Sequence, residues 1–189
     1  MIKSVPAMIV MALTAFAANS VFCRLALEEA SIDAASFTFI RLLSGAVALA
    51  IICLMAKKTW KPSFPQPVPV LALFSYMVCF SFAYIKLSAG TGALLLFGFV
   101  QITMMGVAIA QGKKMSGIAW GGLICAMLGL VYLVSPGISA PEPFFAVLMA
   151  IAGIAWGIYS LYGGKVADAT TSTASNFLYA TLLAFFLSM

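Results

Sequence analysis

The sequence predicts an all-α polytopic membrane protein, and three observations support this fold class. The 189 residues are 64% hydrophobic and only 8% charged, whereas a soluble domain carries roughly 25% charged residues to cover its core. The mean hydropathy of +1.14 is typical of a chain whose solvent is largely lipid. Apolar segments of about 20 residues, the length at which a helix spans a bilayer, recur along the whole chain.

Charged residues and Pro/Gly clusters divide the chain into seven predicted transmembrane helices. The first apolar run resembles a signal peptide, but it continues without a charge to about Cys23 and is long enough to span. We therefore interpret it as a retained first helix and not as a cleaved leader. The predicted helices lie near residues 5–25, 34–55, 68–87, 91–110, 116–134, 143–162 and 174–189.

The charges of the connecting segments alternate, and this alternation predicts the orientation in the membrane. The N-terminus and the connections after predicted helices 2, 4 and 6 hold seven of the ten basic residues. The positive-inside rule places these segments, and with them the N-terminus, in the cytoplasm of a multi-pass protein of the plasma (bacterial inner) membrane. The other three basic residues depart from the rule, because Arg24, Arg41 and Lys86 lie at the predicted outer ends of helices 1, 2 and 3.

Several function classes find no support in the residues. The chain has no histidine, no nucleophile–base arrangement and no nucleotide-binding glycine pattern, so it is not predicted to be an enzyme. Its four cysteines form no C-x-x-C pair and are interpreted as small packed hydrophobes, so no metal or other cofactor is expected. The basic residues come in ones and twos, which indicates topology signals and not a nucleic-acid surface. All five acidic residues lie in predicted loops, so the sequence offers no intramembrane carboxylate relay for coupling ions.

A few polar and aromatic residues inside the predicted helices are candidates for a substrate cavity. A cavity for a small polar or amphipathic metabolite is mostly apolar or aromatic, with a few placed hydrogen-bonding groups. The primary amides of Asn19 and Gln101 lie within helices 1 and 4, where a buried amide rarely faces lipid. Hydrogen bonding between helices is the alternative for both. The cavity candidates are Asn19, Arg41, Tyr84, Gln101, Trp156 and Tyr159.

Arg41 lies about a turn and a half inside predicted helix 2, where a charge is costly. Its apolar flanks, Phe39 and Leu42, favour a partner inside the bundle. Arg24 and Lys86 lie nearer to helix ends, and the three cations together could form a positive outer vestibule that attracts anionic or zwitterionic metabolites. The alternative is snorkelling, in which each apolar stem stays in hydrocarbon and the charged head reaches the interface.

Two pairs of glycines have a spacing that matters for helix packing. Gly117-x-x-x-Gly121 and Gly153-x-x-x-Gly157 have the spacing that brings helices of a membrane bundle close together, and a homodimer is also possible.

A shift of about 138 residues places "FAANSVF" over "IAWGIYS" and "ASFTFIRLL" over "TASNFLYAT". An odd number of helices per copy would invert the second copy, as in many secondary transporters. Chance similarity between apolar segments is the alternative.

The order of several motifs carries a family resemblance. The stretch "AGTGALLLFGFVQITMMGVAIAQGKKMSGIAWGGLICAMLGLVYLVSPG" is similar to the end of the first repeat of the EamA family of the drug/metabolite transporter superfamily. "FTFIRLLSGA" resembles the start of that family's helix 2, where an arginine is common, and Arg41 matches that position. "AGIAWGIYSLYGGKVAD" resembles the start of its second repeat.

The resemblance implies a ten-helix transporter fold made of two inverted five-helix repeats. Residues 1–137 would form the first repeat and 143–189 about two helices of the second. It further implies an integral membrane transporter that moves small metabolites by alternating access. A non-transporting membrane subunit or truncated remnant that packs with partner helices is the alternative.

Overall fold

The computed structural model describes residues 5–28, 32–56, 66–134 and 141–189, and within these ranges the fold is built from α-helices alone. The predicted repeat boundary after residue 137 and the loop lysines Lys3, Lys57, Lys58 and Lys61 lie outside them. Seven helices occupy the described residues: α1 (Val5–Glu28), α2 (Ala34–Met55), α3 (Pro67–Ala83), α4 (Ala89–Ala110), α5 (Gly117–Val134), α6 (Pro143–Gly163) and α7 (Ala169–Ser188).

The lengths of these helices confirm the predicted class of a multi-pass membrane protein. Four of the described helices, α1, α2, α4 and α6, have 21 to 24 residues and are long and apolar enough to cross a membrane. Two shorter apolar helices, α3 and α5, accompany them. A helix needs about 20 apolar residues to span the hydrocarbon layer, so each of the four meets this requirement by itself.

α7 begins at Ala169, more than a turn before the predicted start near Ala174. The segment before Ala174 is rich in Thr and Ser, which favour loops and caps. Here Asp168 caps the helix, because its carboxylate accepts hydrogen bonds from the backbone N–H of Thr171 at 3.3 Å and from the Thr171 hydroxyl at 2.9 Å. The cap satisfies a donor that a helix start would otherwise leave unpaired.

The connection between α3 and α4 also differs from the prediction. α3 ends at Ala83 and not near Leu87, and the polypeptide turns before α4 begins at Ala89. The Ser88 hydroxyl accepts a hydrogen bond from the Thr91 backbone N–H at 3.2 Å, which makes Ser88 the N-cap of α4. The stretch predicted as a loop therefore supplies the first turn of α4.

The helices pack around α3 and α6. α6 lies against both α3 and α4, while α2 lies against α7, and α3 also contacts α2 and α7. Among the described contacts, α1 and α5 each pack mainly on α4, at the edges of the bundle. α3 is the most enclosed helix, and Leu73, Phe80 and Ala83 on it have no exposed surface.

Glycines decide how closely α6 approaches α4. A Cβ added at Gly153 would lie 2.6 Å from the Leu96 carbonyl oxygen and 2.7 Å from the Phe99 Cβ. One turn on, a Cβ at Gly157 would lie 2.9 Å from the Thr103 Cβ. The Gly153-x-x-x-Gly157 pair therefore forms a close helix contact, as its spacing predicted.

The glycines of α5 behave differently. A Cβ added at Gly117 or Gly121 would meet no atom within 4 Å. The predicted packing motif of α5 is thus unused by the described residues of this chain, and the homodimer that it could serve stays a prediction.

Candidate functional site

The candidate site is built on the first turns of α2, whose start is fixed by Asp33. The Asp33 carboxylate accepts backbone hydrogen bonds from Ala35 at 3.0 Å and from Ser36 at 2.9 Å. Hydrogen bonds from the Ser36 side chain and backbone hold the pKa of Asp33 below its ordinary value. This cap stabilises the first turn of the helix that carries Arg41.

Arg41 points into the bundle and bridges three helices. One terminal nitrogen, Nη2, donates to Asn19 Oδ1 of α1 at 3.2 Å. The other, Nη1, donates to Ser81 Oγ of α3 at 3.4 Å, which makes it the longer of the two contacts. Arg41 is half-buried. Two of the cavity candidates, Asn19 and Arg41, are therefore brought into direct contact.

Aromatic rings surround the Arg41 guanidinium. Its central carbon lies 4.9 Å from the centroid of the Phe80 ring and 5.5 Å from that of Phe37. Both distances fall within the range of cation–π attraction. Tyr76, one turn before Phe80 on α3, has Arg41 and Asn19 as side-chain hydrogen-bonding neighbours.

The positive charge of Arg41 has no carboxylate partner among the described residues, where the ion pair shown is Arg24–Glu28. Its hydrogen-bonding neighbours are all neutral side chains, those of Asn19, Ser81 and Tyr76. A guanidinium has five N–H donors, more than these three neighbours use, and its planar fork matches a carboxylate. The Arg41 site can therefore accept an anionic group.

A row of aromatic rings, each tilted against the next, runs from Arg41 through the bundle. The ring centroids of Phe80 and Tyr76 are 5.3 Å apart, those of Tyr76 and Trp156 are 4.7 Å apart, and those of Trp156 and Tyr159 are 5.5 Å apart. These spacings are typical of favourable aromatic pairs. We call these four residues the aromatic column. Two further cavity candidates, Trp156 and Tyr159, are thus linked to the Arg41 site through Tyr76 and Phe80.

Arg24 is held in a different arrangement from Arg41. Its Nη1 donates to the carbonyl oxygens of Tyr84 at 3.0 Å and Ile85 at 2.9 Å, while Nη2 pairs with Glu28 at 2.8 Å. These carbonyls follow the end of α3, where a helix leaves acceptors without internal partners. Arg24 therefore joins the end of α1 to the end of α3, and its charge is offset by Glu28.

Tyr84 is fully buried beside the column, with its ring centroid 4.7 Å from that of Phe80. Its hydroxyl donates to the Ala89 carbonyl oxygen at 3.3 Å, and its ring packs so closely on Gly92 that a Cβ there would lie 2.5 Å from it. These contacts stabilise the turn between α3 and α4. Lys86 lies exposed in the same turn.

Gln101 stands apart from the other candidates. It is exposed on α4, and no hydrogen bond of its side chain is shown among the described residues. The described residues do not bring it together with Asn19 and Arg41, and its place in a cavity stays a prediction.

Sequence reasoning did not select Tyr76, Phe80 or Ser81 as partners of Arg41. A signal for two of them was present, because Tyr76, Phe80 and Tyr84 recur at intervals of four and so share one face of α3. Ser81 carries no such signal. Its hydroxyl donates to the Met77 carbonyl oxygen at 2.9 Å, as serines within membrane helices commonly do.

No metal centre is assigned, because the described residues contain no group of three or more His, Cys, Asp or Glu side chains that could hold an ion.

Comparison with known proteins gives two relatives. The chain is 44% identical over 175 residues to an uncharacterized protein of Pseudomonas aeruginosa, a match that covers 93% of this chain and 61% of the relative. It is 28% identical over 187 residues to an uncharacterized transporter of Archaeoglobus fulgidus, covering 88% of this chain and 61% of that protein. The chain thus spans about three fifths of the length of the curated relatives that it matches. No family model and no solved structure matches it. The distant similarity to a transporter and the membrane-length helices indicate a transporter-like membrane protein.

Proposed function

We propose that the chain is part of a membrane transporter of the EamA, drug/metabolite type, which moves small metabolites across the plasma membrane by alternating access. The observation that carries this proposal is the Arg41 site. Charged residues within membrane helices are costly and rare, so such residues usually serve a function. Here the charge faces the bundle and is paired with neutral groups.

The surroundings of Arg41 favour an anionic or zwitterionic substrate. A carboxylate would receive N–H donors from Arg41, and the Asn19 amide and Ser81 hydroxyl lie close enough to contribute. The rings of Phe80 and Phe37 would contact the apolar part of the same molecule. A few placed polar groups on an aromatic wall are typical of sites for small metabolites.

The packing of α2 against α7 supports the inverted-repeat architecture. The shift of about 138 residues that relates the two apolar segments carries α2 onto α7 and Phe39 onto Phe177. A two-fold axis relating the repeats would pass between these helices and bring each against the other. Phe39 of α2 contacts Phe185 of α7 at a centroid distance of 5.8 Å, and Phe177 of α7 lies on Gly45 of α2. The shift carries Val47 onto Phe185, and Val47 lies two residues from Gly45, so the two contacts are approximately reciprocal, and this approximate symmetry supports the proposed repeat.

The test is transport by the full-length protein in proteoliposomes, with a panel of radiolabelled amino acids and small carboxylates as probes. We expect uptake of at least one probe by the wild type and background uptake by Arg41→Gln, with normal membrane insertion and normal elution from size-exclusion chromatography. Lys113→Gln is the matched control, because it also removes one positive charge, but at an exposed position after the end of α4 and outside the Arg41 site.

The outcomes separate the alternatives. Unchanged uptake by Arg41→Gln would show that Arg41 is not the binding centre. A correctly inserted wild type that transports no probe would favour the alternative of a non-transporting membrane subunit.

A further inference from the structure

A second polar site lies at the far end of the aromatic column. A cavity of about 90 Å³ opens where α3 begins, α6 ends and α7 begins. This volume corresponds to roughly three water molecules, enough for one small polar group. The Trp156 indole forms part of its wall, together with the polar residues Gln66, Tyr159, Ser160, Ser172, Thr173 and Asn176.

The Tyr159 hydroxyl indicates that a hydrogen-bonding partner is missing at this cavity. Tyr159 is only 8% exposed, and its hydroxyl is a buried polar atom without a hydrogen-bond partner among the described residues. Buried polar groups are nearly always paired, since an unpaired one raises the free energy of the folded state. Asn176 faces the same cavity at 8% exposure, and no hydrogen bond of its side chain is shown among the described residues.

The chemistry of the walls selects an uncharged ligand. None of the described residues that line the cavity is Lys, Arg, Asp or Glu. A phenol hydroxyl and a primary amide can each both donate and accept. The ammonium group of Lys165 lies 5.5 Å from the ring centroid of the wall residue Tyr162, but Lys165 itself is not part of the wall. The indole and phenol rings offer an apolar face beside these polar groups.

We propose that this cavity binds an uncharged hydrogen-bonding group of the transported metabolite, such as a carboxamide or a hydroxyl, through Tyr159 and Asn176. This inference rests on the proposed function and extends it to a second subsite. The cavity lies at the far end of the aromatic column from Arg41, so it forms a second binding place for the metabolite, apart from the Arg41 site. The Tyr159 hydroxyl is buried in the conformation described. The proposal therefore requires the cavity to widen around the ligand before this hydroxyl gains its partner.

Acrylamide tests the inference, because it is both an uncharged carboxamide and a quencher of tryptophan fluorescence. With Trp60→Phe and Trp120→Phe, the reporter is Trp156, the remaining tryptophan of the chain and part of the cavity wall. The protein is studied in nanodiscs by fluorescence intensity and lifetime together. Bound acrylamide lowers the intensity without shortening the lifetime, and this static part saturates. Iodide is the anionic counterpart.

We expect saturable static quenching by acrylamide and none by iodide. Tyr159→Phe keeps the ring and removes the hydroxyl, so it should weaken acrylamide binding about threefold to tenfold, the effect of one lost hydrogen bond. Tyr132→Phe, at an exposed tyrosine of α5, is the matched control and should change nothing.

Three results would overturn the proposal: parallel loss of intensity and lifetime in the wild type, equal static quenching in Tyr159→Phe, or static quenching by iodide as strong as by acrylamide. The assay involves no transport. The cavity can therefore fail this test while the Arg41→Gln transport result stands, and the reverse also holds.

Discussion

The contact between α4 and α6 makes a quantitative prediction for Gly153→Ala. The added Cβ would lie 2.6 Å from the Leu96 carbonyl oxygen, 2.7 Å from the Phe99 Cβ and 3.3 Å from the Val100 backbone nitrogen. Two of these atoms belong to the backbone of α4 and the third is a Cβ, so none can rotate away. The helices must separate by several tenths of an ångström, and such overpacking destabilises a protein by about 1–3 kcal/mol.

Helix propensity acts in the opposite direction, because Ala is favoured over Gly in a helix by about 1 kcal/mol. Gly106→Ala on α4 measures the helix-propensity effect without the steric one, because a Cβ at Gly106 meets nothing within 4 Å. The assay is reversible unfolding in mixed micelles with increasing SDS, read as the free energy of unfolding. We expect Gly153→Ala to be less stable than Gly106→Ala by about 1–3 kcal/mol. Equal stability of the two variants would refute the reasoning, because the steric term would then be absent.

Three further predictions concern the same unfolding assay. Arg24→Gln removes charged donors from the Tyr84 and Ile85 carbonyls and should destabilise by about 1.5–3 kcal/mol, whereas Lys86→Gln in the exposed turn should stay within about 0.5 kcal/mol of the wild type; equal effects would contradict the bridging role of Arg24. Gly45→Ala should destabilise by about 1–3 kcal/mol, because its Cβ would lie 2.5 Å from the Phe177 ring, and adding Phe177→Leu should restore part of the loss; purely additive effects would argue against the α2–α7 contact. Asp33→Ala should destabilise α2. Because the folded-state pKa of Asp33 is lowered, its stabilising contribution is complete above the ordinary pKa of 3.8 and is lost as the pH falls through the lowered value. Asp33→Asn should keep the cap and abolish this acid dependence, and an unchanged pH profile in that variant would contradict the assignment.

The existence and order of the seven described helices could be predicted because lipid demands long apolar runs, which a sequence displays directly. The end of α3 and the start of α7 could not be predicted in this way. α3 stops where Arg24, about 60 residues away, takes up its carbonyls, and such long-range contacts leave no local pattern. α7 starts early because one carboxylate, that of Asp168, outweighs the weak helix propensity of the Thr/Ser segment.

The residues of the candidate site were also only partly predictable from the sequence. Arg41 and Asn19 could be selected because a charge or an amide inside an apolar helix needs a polar partner. Gln101 satisfied the same criterion but is exposed on α4, whose close contact with α6 is made by neighbouring residues 96, 99 and 100 at Gly153. The stacking of Tyr76 on Trp156 joins helices distant in sequence and depends on tertiary packing alone.

α3 has only 17 residues and is about 26 Å long, less than the roughly 30 Å of the hydrocarbon layer. α2, α6 and α7 pack against it, while Val68 and Leu71 near its start stay exposed. A short helix at the centre of the proposed transporter shortens the path beside the aromatic column, but the whole membrane potential still falls along that path. A metabolite with one net charge that crosses there exchanges about 2.3 kcal/mol with the field for every 100 mV. Movement of such a substrate would carry current, and its direction would follow the voltage.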